Sequence, residues 1–260
     1  MELQYKKMPR QPADRGEGQP LIILHGLFGS SDNWQTQGKK LAEYFEVYLV
    51  DQRNHGESPW SDEFSYEIMA EDLNDFITDH QLDDMILIGH SMGGKTAMQF
   101  AQKYAAKIAK MIIVDMGVKE YPIHHETIIE GLQSIDLNEI HSRSGASKQL
   151  AKYLDNKTIR QFLLKNLYWK EKGLLAWHIN LPVLEKKLPE IVEALPFKEV
   201  MLDTLFISGG QSDYILKEDQ KQLLSYFPLA DFYTIEQAGH WIHAEAPDEF
   251  MEEVLGYCLR

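Results

Sequence analysis

Met85-Ile86-Leu87-Ile88-Gly89-His90-Ser91-Met92-Gly93-Gly94 is the stretch on which the fold of this chain turns. Its four leading apolar residues read as a strand buried on both faces. From Gly94 to Ala106 the spacing of Ala97, Phe100, Ala101 and Tyr104 predicts a helix with one apolar face. Gly-x-Ser-x-Gly lies between them, and its small residues permit a turn so sharp that bulky flanks would collide across it. Such a turn raises the Ser91 hydroxyl above the sheet edge. It also sets the Met92 amide at a helix amino terminus, where partial positive charge favours an oxyanion. Ser91 is therefore a candidate nucleophile and Met92 a candidate oxyanion donor.

On either side of this stretch, short apolar runs recur at Leu21 to Leu24, Val47 to Val50, Met111 to Val114, Leu205 to Ser208 and Phe232 to Ile235. With Met85 to Ile88 they make six expected strands. Helical spacing between them, as at Ile68, Met69, Leu73, Phe76 and Ile77, predicts an α/β fold: a mostly parallel central sheet flanked by helices, with ligands bound at the carboxyl ends of the strands. The rhythm breaks between Gly117 and Val200. Helical patterns dominate there, at Ile128, Ile129, Leu132 and Ile135 and at Ile159, Phe162, Leu163 and Leu167. Residues 117–200 are expected to form an inserted helical cap, or lid, on a core made of 1–116 and 201–260. Phe162, Trp169 and Trp177 in the cap, with Phe28 in the core, are candidate pocket residues. Residues 9–20, rich in Pro, Gly and charge, read as a loop before the first core strand.

A serine at this sheet edge needs partners at the same edge. A second oxyanion donor is expected in His25-Gly26-Leu27-Phe28-Gly29, directly after a strand run. The Leu27 amide is the first choice and Phe28 the neighbouring one, with His25 orienting the loop. The base is expected at His240 in Ala238-Gly239-His240-Trp241, just past the last strand run. His243 is the lesser alternative, and His90 points elsewhere by the geometry of the turn. For the acid, the residues leave two positions open. Asp115 follows Met111 to Val114, while Asp213 follows Leu205 to Ser208 through Gly209-Gly210-Gln211-Ser212. Either could orient an imidazole, and either could instead cap a loop.

Composition narrows the function classes. With 260 residues, 44% hydrophobic and 25% charged, the chain has enough sequence for one sizeable core and none of the bias of a disordered protein. A net charge of −14 with no dense Lys/Arg run argues against nucleic acid as a partner. No apolar run is long enough for a membrane span, and Met1 to Arg10 lacks the apolar centre of a secretory signal, so a cytoplasmic protein is expected. Cys258 is the only cysteine, which excludes an internal disulfide and a cysteine-based metal site. His124-His125-Glu126 and His240-x-x-His243 lack the spacing and third ligand of a zinc site. No metal and no organic cofactor are expected. The sequence carries no signal for an oligomeric state.

Four motifs now stand in order: His25 to Ser30, Asp51-Gln52-Arg53-Asn54-His55-Gly56-Glu57-Ser58, Gly89 to Lys95, and Gly239 to Glu245. Together they resemble the α/β-hydrolase superfamily, and in particular its YbfF-type esterases, across nearly the whole chain. The resemblance implies the α/β-hydrolase fold and a serine hydrolase acting on a small-molecule ester or thioester. It also implies that the segment 51–58 is a structural loop beside the pocket. Many superfamily members carry the acid in the loop after the penultimate strand, where this chain has Ser212, with Asp213 one position on. In the YbfF-like group the acid lies in the earlier loop, which here reads Val114-Asp115-Met116, so the resemblance favours Asp115. Acyl-CoA thioesterase activity with the same triad is the runner-up, and a non-catalytic ligand receptor is the alternative from another class. The bulky cap aromatics lead to an expected preference for short to medium acyl groups.

Overall fold

The computed structural model describes residues 1–11, 18–123, 125–196 and 198–260; part of the expected 9–20 loop and His124 lie outside them. Seven strands form the main sheet: β1 (Tyr5–Met8), β2 (Pro20–Leu24), β3 (Glu46–Val50), β4 (Met85–His90), β5 (Ile108–Val114), β8 (Thr204–Gly209) and β9 (Ala230–Ile235). Their order is β1-β3-β2-β4-β5-β8-β9. β1 runs antiparallel to β3, and every other pairing is parallel. All six expected runs are strands of this sheet. The seventh, β1, is an edge strand whose residues are only partly covered, which explains why Tyr5-Lys6-Lys7-Met8 has no apolar run.

The sheet sorts its apolar residues by the two-residue period of a strand. Ile22, Leu24, Leu87, Met111, Ile113 and Phe206 face one side. There they pack with helices Tyr66–Asp79 and Met92–Tyr104 through Met69, Leu73, Phe76, Ala97 and Phe100. Leu21, Ile23, Ile86, Ile88, Ile112 and Ile207 face the other side. They meet Leu41 of helix Gln35–Leu41 and Phe250 and Val254 of helix Pro247–Cys258. Each fully buried Leu, Ile or Phe contributes roughly 1.5–3 kcal/mol relative to exposure, so this double layer fixes the strand ends on which the loops stand.

Between β5 and β8 the chain leaves the sheet. It forms helices Glu126–Gln133, Arg143–Leu150, Lys157–Leu164, Leu181–Lys186 and Leu188–Val192. Two of the expected helical patterns, around Ile128 and around Ile159, fall on the first and third of these. The insertion is not all-helical, however: β6 (Leu167–Glu171) and β7 (Leu174–Trp177) pair as an antiparallel hairpin. Leu167 therefore ends a strand pair and not a helix. Ile129, Leu132, Leu163, Leu167 and Leu184 join the same apolar cluster as the first face of the sheet, so the insertion shares its core with the sheet.

Candidate active site

β4 delivers the chain into the turn at Ser91, and helix Met92–Tyr104 takes it away. Ser91 adopts φ 52° and ψ −119°, a conformation that a side-chain-bearing residue holds only when its surroundings enforce it, at a cost of about 1–3 kcal/mol. The enforcement is visible. The Ser91 N–H donates to the Val114 carbonyl at 3.1 Å, and Gly94 and Lys95 N–H groups donate to the Ser91 carbonyl. A Cβ on Gly89 would strike the Gly93 carbonyl, and one on Gly93 would strike the Leu24 carbonyl, so both glycines are required by close backbone approach. The Met92 N–H is the first of its helix and has no intrahelical acceptor to satisfy it.

His240 follows β9 and lies beside Ser91 on a common cavity. Its Nδ1 donates to Asp115 Oδ2 at 2.8 Å, which leaves Nε2 as the nitrogen able to take a proton. Tyr214 stacks on the imidazole with ring centres 4.0 Å apart, and His90 Nε2 donates to the His240 carbonyl at 2.9 Å. Asp115 is fully buried just past β5, with φ 49°. Beyond His240, its carboxylate accepts from the Gly209 N–H at 3.1 Å and from the Ser212 hydroxyl. Asp213 is exposed, one residue beyond that serine. The two aspartates therefore occupy different environments, and only Asp115 meets the histidine. His243 is buried, stacked on Trp34 at 4.1 Å and packed edge-on to His90 at 4.9 Å, and it makes no hydrogen bond to Asp115.

The loop after β2 is bent by the Gly29 N–H donating to the Gly26 carbonyl at 2.9 Å. Two histidines shape it. His25 Nδ1 donates to the Gly26 carbonyl while its Nε2 accepts from the Gln52 N–H. His55 Nδ1 donates to the Arg53 carbonyl while its Nε2 accepts from the Phe28 N–H at 3.2 Å. Phe28, at φ 58°, thus has its amide engaged by His55, and Leu27 and Phe28 both border the cavity with Ser91. Asn166 Nδ2 donates to the Phe28 carbonyl at 2.6 Å, and Asn180 bonds Asn54, tying the insertion to this loop and to the segment 51–58. Asp51 accepts from the Ser31 and Glu57 N–H groups, and a Cβ at Gly56 (φ 56°) would collide with that carboxylate.

Two cavities meet at Ser91. The wider, about 220 Å³, is lined by Phe28, His125, Ile128, Phe162, Leu163, His240 and Trp241 among others. The narrower, about 20 Å³, is lined by Tyr66, Met92, Met116, Tyr121, Ile191, Val192 and Tyr214 among others. Of the expected pocket residues, Phe28 and Phe162 line the wider cavity, whereas Trp169 and Trp177 border neither. The β6–β7 hairpin extends away from the core, so burial falls from Leu167 outward. Trp169 is half exposed, and Trp177 packs against the edge of the apolar cluster. Trp241, Tyr66, Tyr121 and Tyr214 were missed. Trp241 adjoins the expected base and so carried a positional signal, whereas the tyrosines reach the site from separate elements and carried none. Among the described residues, no set of three or more His, Cys, Asp and Glu side chains is gathered as a metal ion would require.

Residues 19–130 match the family model described as the alpha/beta hydrolase fold. The chain is 34% identical to esterase YbfF of Escherichia coli (strain K12) over 241 residues, covering 92% of each chain. The chain belongs to the α/β-hydrolase family, among the YbfF-like esterases. It is also 35% identical over 246 residues to the sn-1-specific diacylglycerol lipase ABHD11 of Mus musculus, covering 91% of this chain and 80% of that one. Among solved structures, a marine microorganism esterase superposes with a TM-score of 0.93 at 42% identity over 99% of both chains.

In this α/β-hydrolase four buried histidines make the fold less stable in acid. Burial pushes His25 down to about 4, His243 to about 3 and His55 to about 3, the last two further lowered by neighbouring imidazoles, and holds His90 well below 6.5. All four are neutral in the folded state, while in the unfolded chain each gains a proton near pH 6.5. The unfolded state therefore binds more protons below that pH, so stability is full above 6.5 and declines as the pH falls toward 4. At pH 5.5 each group forfeits about 1.4 kcal/mol, so the four together lower unfolding free energy by roughly 5 kcal/mol relative to pH 7.5. Urea denaturation at the two pH values checks this through the midpoint shift.

Proposed function

We propose that this YbfF-like esterase is a serine carboxylesterase that cleaves short to medium acyl esters of small molecules through a Ser91-His240-Asp115 triad. What supports this reading most is the Asp115–His240 hydrogen bond at 2.8 Å beside a serine held at φ 52° on the same cavity. In the first half-reaction the Ser91 hydroxyl adds to the ester carbonyl carbon as His240 Nε2 takes its proton. The resulting oxyanion is held by the Leu27 and Met92 amides. Collapse breaks the carbon–oxygen bond to the alcohol, which leaves with the proton from His240. Water then adds to the acyl-enzyme, again deprotonated by His240, and the acid departs as Ser91 regains its proton. The cycle closes with substrate and water alone and calls on no metal or organic cofactor.

Asp115 holds His240 in the tautomer with Nε2 unprotonated and stabilises the imidazolium that forms. Residues 117–200 act as a cap over the core of 1–116 and 201–260, closing the cavity through Ile128, Phe162 and Leu163. A cytoplasmic setting suits a chain whose single cysteine, Cys258, is buried and unpaired. Among the described residues, no helix is long and apolar enough to cross a membrane.

A second reading, acyl-CoA thioester hydrolysis by the same triad, draws support from a groove of about 560 Å³ lined by Asp32, Gln35, Arg143, Ser144, Ser147, Gln161, Leu164 and Lys165. Gln161 and Leu164 of helix Lys157–Leu164 border it, and its two cations, Arg143 and Lys165, offer anchors for phosphate beside the Asp32 carboxylate. Both readings are tested by comparing p-nitrophenyl acetate and butyrate with acetyl-CoA and butyryl-CoA under one set of conditions. Higher kcat/KM for the oxygen esters is the expected result. Preference for the CoA thioesters would install the second reading, and a folded protein inert to all four would contradict both.

A further inference from the structure

Resting on the esterase reading above, we infer that the two cavities at Ser91 divide the substrate unequally: the narrow one takes the acyl group and the wide one takes the alcohol. The preferred substrate class is then acetate or similarly short acyl esters of bulky apolar alcohols. The assignment follows from the tetrahedral carbon. Its oxyanion must face the Leu27 and Met92 amides, and its leaving oxygen must face His240 to receive the proton. The remaining substituent, the acyl chain, therefore points away from His240. Only the wide cavity is bordered by His240, and only the narrow one is bordered by Met92 and not by the imidazole.

Size then sets the class. A space of about 20 Å³ holds little more than one water-sized group, which an acetyl methyl fills. Two of its walls, Tyr66 and Tyr121, are held by hydrogen bonds. Tyr66 Oη donates to the Ile191 carbonyl at 2.8 Å. Tyr121 Oη donates to the Tyr214 carbonyl at 3.0 Å and accepts from the Gly117 N–H at 2.7 Å. Behind them the fully buried Lys95 places its ammonium 5.7 Å from the Tyr66 ring centre and 5.1 Å from that of Tyr121. It donates to the Val192 and Glu193 carbonyls, clamping helix Leu188–Val192 against helix Met92–Tyr104. The wide cavity, at about 220 Å³ and walled by Phe28, Ile128, Phe162, Leu163 and Trp241, suits an apolar chain of several carbons or an aromatic ring.

Two isomeric esters separate the possibilities, because hexyl acetate and ethyl hexanoate share one formula and exchange only the long and short ends. Acid release from each is followed by pH-stat titration with the full-length protein. We expect kcat/KM for hexyl acetate to exceed that for ethyl hexanoate by about 10- to 100-fold, since even one surplus methylene in a closed pocket discriminates on that scale. Ile191→Ala, which enlarges the narrow cavity while keeping the carbonyl that Tyr66 uses, is expected to raise the ethyl hexanoate value and shrink the ratio. Cleavage of both esters at equal rates, or a preference for ethyl hexanoate, would overturn the assignment and leave the esterase reading standing. A folded protein that cleaves neither would remove the esterase reading and this inference with it.

Discussion

Ser91→Ala is expected to lower kcat/KM for a short-chain p-nitrophenyl ester by about 10⁵- to 10⁶-fold, the scale on which removing the nucleophile disables serine hydrolases. The loss should fall on kcat, with substrate affinity little changed, because the cavity walls at Phe28, Phe162 and Trp241 are untouched. Stability should shift by less than about 0.5 kcal/mol, as alanine keeps the Cβ and the strained φ of 52°, and the Ser91 N–H bond to Val114 survives. Circular dichroism alongside the ester assay separates loss of chemistry from loss of fold. A variant that retains more than a hundredth of wild-type turnover would place the nucleophile elsewhere.

The two aspartates give the second large effect, and they give it unequally. Asp115→Asn is expected to reduce kcat/KM by about 10⁴-fold, because the substituted amide can present an N–H to His240 Nδ1 and favour the tautomer that leaves Nε2 unable to accept the serine proton. Asp213→Asn, at an exposed position outside the His240 contacts, should change it by less than about twofold. Ser212 sharpens the contrast: it stands one residue before Asp213 and spends its hydroxyl on the Asp115 carboxylate. The same hydrolysis assay reads both variants. A severe loss in Asp213→Asn with an active Asp115→Asn would move the acid to the later loop.

Much of this architecture was legible because it depends on short-range pattern. Continuous apolar runs marked β2, β3, β4, β5, β8 and β9, and the run from Met85 into Gly89 located the turn at Ser91. What escaped was what pattern does not encode. β1 borrows its strand character from pairing with β3, and the β6–β7 hairpin from a register in which Leu167 and Leu175 are buried while Trp169 is not. A large aromatic in an insertion is as ready to cover a hairpin as to line a cavity, and the sequence could not distinguish Phe162 from Trp169. Composition and spacing likewise left Asp115 and Asp213 level. Their difference lies in long-range contacts, with Gly209 and Ser212 arriving from β8 and its loop to hold one carboxylate. The tyrosines of the narrow cavity come from three separate stretches around residues 66, 121 and 214, which only the folded chain brings together.

Whether Ser91 is an activated nucleophile is read by fluorophosphonate labelling of the native protein, with the adduct located by peptide mass mapping. A single adduct on Ser91 is expected, formed at least about 100-fold more slowly in His240→Ala because the base that activates the hydroxyl is gone. A folded wild-type protein that stays unlabelled, or that carries its adduct on another residue, would contradict it.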